Sequence, residues 1–305
     1  MIGRIGLAIA MLAVGALTST TGNAQKLYAA SVQSLAGTGG GGLAGALYTV
    51  NLGTGSATFV APIKINGVTS IGVSGLAAHP ATGVFYGITS PLTTGVPQSL
   101  ITLDPATGKA TVIGGLRFEG SDIAFSRAGI LYTWLPSTSQ IALVNIETGA
   151  VTPVGPQGLP SSPAGLAIDA QGIAYITPKG AAGTLDTVDI ATGILKTGPP
   201  LTGAPFPSVI NSMTFTPSGL LLAVNSNAGA PADTRLVTIN TATGAVSNIG
   251  TLPHDTDALT FAIGASSPGA IALLSGQTLA LIALGVIALI LGLVGFLVGR
   301  RPKAG

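Results

Sequence analysis

Five stretches of this 305-residue chain repeat one pattern, and no other feature restricts its fold as strongly. They begin at Ala46, Leu100, Ile141, Leu185 and Leu236, and each reads as an apolar strand, an Asn or Asp, a short Thr-Gly turn and a second strand. LITLDPATGKATVIG, from Leu100, is the clearest copy. The turn glycines fall at Gly55, Gly108, Gly149, Gly193 and Gly244, so successive copies lie 53, 41, 44 and 51 residues apart. Local chemistry explains the motif. Asn51, Asp104, Asn145, Asp189 and Asn240 each precede a turn and can accept hydrogen bonds from the next backbone amides, while the glycine supplies a left-handed residue. These five side chains are therefore read as turn caps rather than as catalytic groups.

A second hairpin lies between successive copies, starting near Gly75, Asp122, Gly165 and Ser212 and turning at Gly83, Gly129, Gly172 and Gly219. Four strands per 41 to 53 residues is the blade spacing of a β-propeller. Two halves are left over. Residues 257–263 match the first strand of the second hairpin, and residues 26–32 match its partner. Pairing them completes a fifth blade from both ends of the domain and removes the exposed sheet edges. The expectation is an all-β, five-bladed propeller, with six blades as the alternative if residues 33–45 hold a further element.

Composition agrees. Forty-five glycines and twenty prolines suit many short strands joined by tight turns. At 47% hydrophobic and only 7% charged residues, the chain also carries more apolar sequence than a soluble domain needs, which points to membrane-directed segments. One is N-terminal: Arg4, an apolar run over residues 5–17, and a small-residue cleavage pattern ending at Ala24, which together read as a signal peptide spanning residues 1–24. The other is C-terminal. Residues 279–298 are apolar and long enough, as a helix, to cross about 30 Å of hydrocarbon, and Arg300, Arg301 and Lys303 follow at once. The positive-inside rule then leaves residues 299–305 as a cytoplasmic tail and the domain outside. The expected order is signal peptide 1–24, propeller 25–264, linker 265–278, transmembrane helix 279–298 and basic tail 299–305.

The pI near 9.0 does not point to nucleic acid. Four of the twelve basic residues sit in those terminal segments, leaving eight against ten acidic ones in the domain. No basic stripe remains to follow a phosphate backbone. The absence of cysteine excludes disulfides, thiolate nucleophiles and thiolate-bound metals.

The repeat resembles that of secreted bacterial propellers built on a strand, Asp or Asn, Thr-Gly, strand unit, and the likeness covers residues 26–263. The resemblance implies the fold and leaves function open, since related propellers serve as enzymes, ligand sensors and adhesion modules. No catalytic residue is carried over. The C-terminus resembles bacterial sorting signals that end in an apolar helix and an arginine cluster, but has Ser267, Pro268 and Gly269 where the best-known type has Pro-Glu-Pro.

Both hairpin families turn at one end of the blades, so the longer connections, near residues 33–45, 64–73, 89–98, 197–210 and 225–234, should share the other end. A variable-loop face held by a rigid frame is the expected ligand face, for a protein, glycan or small molecule. Around its channel mouth the aligned inner strands offer Ser74, Ser121 with Asp122, Asn211 with Ser212, and Asp255 with Asp257, beside His254. Asp122, Asp255 and Asp257 are candidate oxygen ligands for Ca²⁺, a hard cation, although capping strand ends and binding water is the commoner use of such groups. Trp134 is a candidate stacking surface at the start of a loop, or a packing residue. His79 belongs to a turn at the opposite end, and Arg117 with Glu119 reads as a solvated pair. With the two histidines at opposite ends, no serine triad or His-based metal site can be assembled. A non-enzymatic, membrane-tethered binding module is expected, exported to the periplasm or cell surface. A metal-assisted hydrolase of the lactonase-like propeller kind is the alternative.

Overall fold

A computed structural model describes residues 26–32, 45–68, 71–158, 161, 164–178, 183–207, 209–229 and 231–262. The expected signal peptide, linker, membrane helix and basic tail, with most of the 33–45 connection, lie outside the described residues. Among the described residues no helix is long and apolar enough to cross a membrane.

Among the described residues twenty-one strands form five sheets in a ring. Blade 1 holds β1 (Leu27–Ser31), β2 (Ala46–Val50) and β3 (Ala57–Pro62). Blade 2 holds β4 (Lys64–Ile65), β5 (Val73–Ala78), β6 (Phe85–Thr89), β7 (Ser99–Leu103) and β8 (Lys109–Gly115). Blade 3 holds β9 (Ile123–Phe125), β10 (Leu131–Leu135), β11 (Gln140–Val144) and β12 (Val151–Val154). Blade 4 holds β13 (Leu166–Ile168), β14 (Ala174–Ile176), β15 (Asp186–Val188) and β16 (Leu195–Lys196), and blade 5 holds β17 (Val209–Phe215), β18 (Leu221–Ser226), β19 (Thr234–Ile239) and β20 (Val246–Leu252). The last strand, β21 (Thr256–Phe261), returns to blade 1 and pairs antiparallel with β1, from Leu27 opposite Phe261 to Ser31 opposite Thr256. The ring is therefore closed by strands from both ends of the domain, and the blades number five.

Five apolar clusters hold the ring, one at each blade interface. Leu47 and Ala258 of blade 1 meet Leu76 and Phe85 of blade 2, and Leu27 and Phe261 meet Leu222 and Leu236 of blade 5. The remaining three join blades 4 and 5, 3 and 4, and 2 and 3. Each blade is buried only by its neighbours, so the core is continuous only when the ring is complete.

The turns follow their local chemistry. Asn145 Oδ1 accepts from the amides of Glu147 and Thr148 at 2.8 and 3.0 Å, and Asp104, Asp189, Asn51 and Asn240 do the same in their own hairpins. In the second hairpin family His79 takes this part through Nδ1, which accepts from Ala81 and Thr82 at 3.2 and 3.3 Å. The turn glycine does a second job. A Cβ on Gly193 would lie 2.2 Å from the Val154 carbonyl oxygen of the preceding blade, and Gly55, Gly108, Gly149 and Gly244 abut the preceding blade in the same way. The Thr-Gly turn is thus both a hairpin and an inter-blade contact.

One connection departs from expectation. The segment read as a long loop over residues 64–73 contains β4, which pairs in parallel with β8 through Lys64 opposite Lys109, then reverses at Asn66 and Gly67. A two-residue strand carries too little periodicity to be seen in sequence.

Substitution should separate the two roles of glycine. Gly219→Ala adds a Cβ that meets nothing within 4 Å, so it should cost only the left-handed strain of about 1 to 2 kcal/mol. Gly193→Ala adds the same strain plus a backbone clash with blade 3 and should cost about 3 kcal/mol or more, read by chemical denaturation. Equal losses would show that the inter-blade contact contributes nothing.

Candidate functional site

The five inner strands, β5, β9, β13, β17 and β21, surround the axis. Counting back from each inner hairpin turn, Ser74, Ser121, Ala164, Asn211 and Asp257 occupy one equivalent position at the long-loop end. Three of these are bulged. The pairing skips Ser74 between Val73 and Gly75, Asn211 between Ile210 and Ser212, and Asp257 between Thr256 and Ala258. A bulge re-aims the residue it carries. Ser74, Ser121, Asn211 and Asp257 accordingly line one pocket of about 230 Å³.

Its remaining wall comes from loops that the aligned strands did not reveal. Ser90, Pro91 and Leu92 follow β6, and Gln98, Glu119, Gly120 and Val32 complete the lining. Gln98 is a support, its Oε1 accepting from the Gly120 amide at 2.8 Å and fixing the loop that carries Glu119. Glu119, read in sequence as half of a solvated pair with Arg117, is exposed and also stands as a second carboxylate at this mouth. Loop residues of this kind have no repeat signal by which to be found.

Two groups in the pocket are unusual. The Ser74 hydroxyl is buried, with 7% of the residue exposed, and its Oγ has no hydrogen-bond partner among the described residues. Buried hydroxyls left unpaired cost free energy, and such a group turned into a cavity marks where a ligand or water would bond. The Asp257 carboxyl is partly accessible yet enclosed by protein on most sides. Burial pushes its pKa up to about 7, against the hydrogen bond from Asn211 that favours the ionised form and with the nearby charge of Asp255. Among the described residues no basic side chain lines the pocket.

Asp122 sits one residue further along its strand and does something else. It is fully buried on the axis, where Gly75, Gly165, Ser212 and Ala258 take the equivalent position in the other blades. These small residues leave room for its carboxyl. Oδ2 accepts from the amides of Leu166 in blade 4 and Met213 in blade 5, both at 3.0 Å, and Oδ1 accepts from Ile123 at 2.9 Å. The Ser212 hydroxyl also bonds to it and in turn accepts from Leu259 of blade 1 at 3.1 Å. Nearer the other end, Thr260 of blade 1 accepts from the Ala78 amide of blade 2 at 2.9 Å, a further side-chain bond between blades. Burial raises the Asp122 pKa well above the carboxylate range, opposed by the donors from Leu166, Met213, Ile123 and Ser212. With its oxygens spent on backbone, Asp122 is a structural staple between blades.

The other sequence candidates are dispersed. Asp255, at a positive φ of 58°, accepts from Ala232 at 2.8 Å, and its carbonyl receives the Val32 amide at 2.9 Å, which ties the end of β1 to blade 5. His254 Nδ1 lies 3.0 Å from Asp233 Oδ1 outside the pocket lining. Trp134 is a correction: it lies inside β10 at 1% exposure, its Nε1 donating to Ser161 at 3.2 Å, so its ring is core and presents no stacking surface. Among the described residues no three His, Asp or Glu side chains converge as metal ligands, and Asp122, Asp255 and Asp257 do not form one cluster.

The fold has relatives among solved structures. It is similar to a chain of a nidogen/laminin complex, with 14% identity and a TM-score of 0.50 over 78% of this chain and 98% of that one. A protein of unknown function from Bacteroides caccae aligns at 12% identity and a TM-score of 0.47, over 79% of this chain and 99% of that one. At these identities the likeness concerns the fold alone. No family model matches the chain, and no curated protein matches it.

The raised carboxyls set a pH dependence with a definite sign. Asp257 in the unfolded chain ionises near the reference value of about 3.9, but in the folded protein only near 7, so stability should fall as pH rises between those values. Asp104 and Asp189 titrate below the usual range and act only below that window. Asp257→Asn should therefore make the fall in melting temperature between about pH 4 and 7 shallower, with Asp122 supplying what remains, and raise the melting temperature at pH 8. Asp122→Ala should cost about 3 kcal/mol or more at low pH by leaving buried amides without an acceptor, and less as pH rises, because the raised carboxyl it removes loses stability in that direction. An unchanged slope in Asp257→Asn would contradict the burial of that carboxyl.

Proposed function

We propose that the protein is an exported, membrane-tethered binding module whose ligand occupies the polar pocket around Asp257. One observation carries this reading: an unpaired buried Ser74 hydroxyl faces the same 230 Å³ space as a carboxyl held near neutrality. The lining of hydroxyls, amides and two carboxylates, without a basic group, favours a small neutral or cationic hydrogen-bonding ligand over an anion. Export and tethering rest on residues 1–24 and 279–298, as sequence.

A second reading keeps the same pocket. A carboxyl near neutrality in a cleft is of the kind that acts as general base, so hydrolysis of a lactone or ester is the enzymatic counterpart.

The test uses the full chain in detergent, melted with Ca²⁺, with ethanolammonium and with monosaccharides at pH 5.5 and pH 8. A ligand of the folded state raises stability by about 2.7 kcal/mol at a hundredfold excess over its Kd. The expected result is a saturable shift with one probe class, lost in Asp257→Asn and reduced in Ser74→Val. If the probe is a cation, the shift should be larger at pH 8, where Asp257 is ionised. A shift unaffected by both substitutions would place binding elsewhere, and lactone turnover abolished by Asp257→Asn would favour the enzymatic reading.

A further inference from the structure

The opposite end of the axis is built differently. There the inner strands open into an apolar funnel of about 430 Å³, lined among others by Phe125, Phe215 and Phe261. Around it the four inner hairpins present one side chain each, in the position just after the turn glycine: Val84, Ile130, Ile173 and Leu220. All four are large, aliphatic and 40% to 47% exposed. The strands that follow them are largely buried, so the same aliphatic type recurs at four equivalent exposed positions as a hydrophobic rim outside the funnel, with Ile173 and Leu220 each lining a groove of its own.

The fifth equivalent position shows where the chain leaves this face. In blade 1 no hairpin joins the inner two strands, because they come from opposite ends of the domain, and Lys26 stands where the other blades have the aliphatic residue. The Ala262 amide donates to the Lys26 carbonyl at 2.8 Å. Both ends of the described chain thus leave the ring at this face, beside the funnel. After sixteen intervening residues, at residue 279, the twenty-residue apolar segment begins. Charges near the funnel are Lys26, Arg127 and Asp169, and the Asp169 carboxylate is taken up by the amides of Gln171 and Ile173. The outer hairpins add Asp104, Glu147 and Asp189 with Lys109 and Lys196, so the face as a whole carries no strong charge of either sign.

We infer that this tight-turn face docks on the lipid bilayer into which the chain's own apolar segment inserts, with the aliphatic rim at headgroup level and the polar pocket turned away from the membrane. The inference rests on the tether proposed above. Individually exposed aliphatic residues bind a bilayer weakly, but a covalent tether makes the contact intramolecular, so a weak docking surface becomes occupied.

The chain has no cysteine, so single labelling sites can be introduced without background. Full-length protein carrying Ile173→Cys or Val84→Cys on the tight-turn face, or Thr94→Cys on the long-loop face, is labelled with a fluorophore. It is reconstituted into phosphatidylcholine vesicles with a minor fraction of phosphatidylglycerol and a nitroxide headgroup lipid. Quenching at residues 173 and 84 should exceed that at residue 94 by about twofold or more. Combining Ile130→Ser, Ile173→Ser and Leu220→Ser should lower quenching at residue 84 while the protein still floats with the vesicles. Equal quenching on both faces in a protein that floats would overturn the docking alone. Failure to float would overturn both tether and docking, and disulfide formation between copies through Cys at position 173 would reassign the rim to self-association.

Discussion

The pairing of β1 with β21 is the constraint on which the rest of the molecule depends. Without it the ring has two open sheet edges, and the apolar clusters on both sides of blade 1 lose Leu27, Ala29, Ala258, Leu259 and Phe261. Closure also builds the candidate site. Asp257 rides on β21, while Ser74 and Asn211 belong to β5 and β17, so three non-adjacent parts of the chain meet only when the last strand docks. The same event fixes both chain ends at the far face, through the bond between Ala262 and Lys26. The candidate site and the position of both described chain ends are therefore consequences of one strand pairing.

Inside the ring a second constraint divides the axis. Asp122 places an ionisable group where only glycine, serine and alanine stand in the other blades, and it is tolerated because backbone amides from blades 3, 4 and 5 converge on it. A buried carboxyl satisfied by donors from three blades is compatible with one blade arrangement, which is how a polar group can contribute specificity as well as cost. The waist it forms separates a polar pocket on one side from an apolar funnel on the other. One end of the axis suits a hydrogen-bonding ligand and the other suits hydrocarbon.

Much of this was legible in sequence because the repeat carries its own alignment. The Thr-Gly spacing gave the blades, and the unmatched halves at residues 26–32 and 257–263 gave the closure. Aligning the inner strands picked out Ser74, Ser121, Asn211 and Asp257 as neighbours at one mouth. What alignment could not give was direction. Asp122 and Asp257 look alike in sequence, yet they occupy successive layers of the inner strands, so one is bound to backbone on the axis and the other opens into a pocket. Bulges at Ser74, Asn211 and Asp257 leave no compositional trace, and neither does the burial of Trp134 within its strand. Gln98, Glu119 and Leu92 lie in loops outside the repeat, where periodicity says nothing. The inter-blade role of the turn glycines was hidden behind a sufficient local reason for them.

The candidate site exists only if closure places Asp257 in a protein-enclosed pocket. The most direct measurement is the titration of that single carboxyl by ¹³C NMR in the full-length protein, assigned by its loss in Asp257→Asn. A midpoint near 7 is predicted. A midpoint near the ordinary value of about 3.9 would mean a solvated carboxylate and would contradict the site.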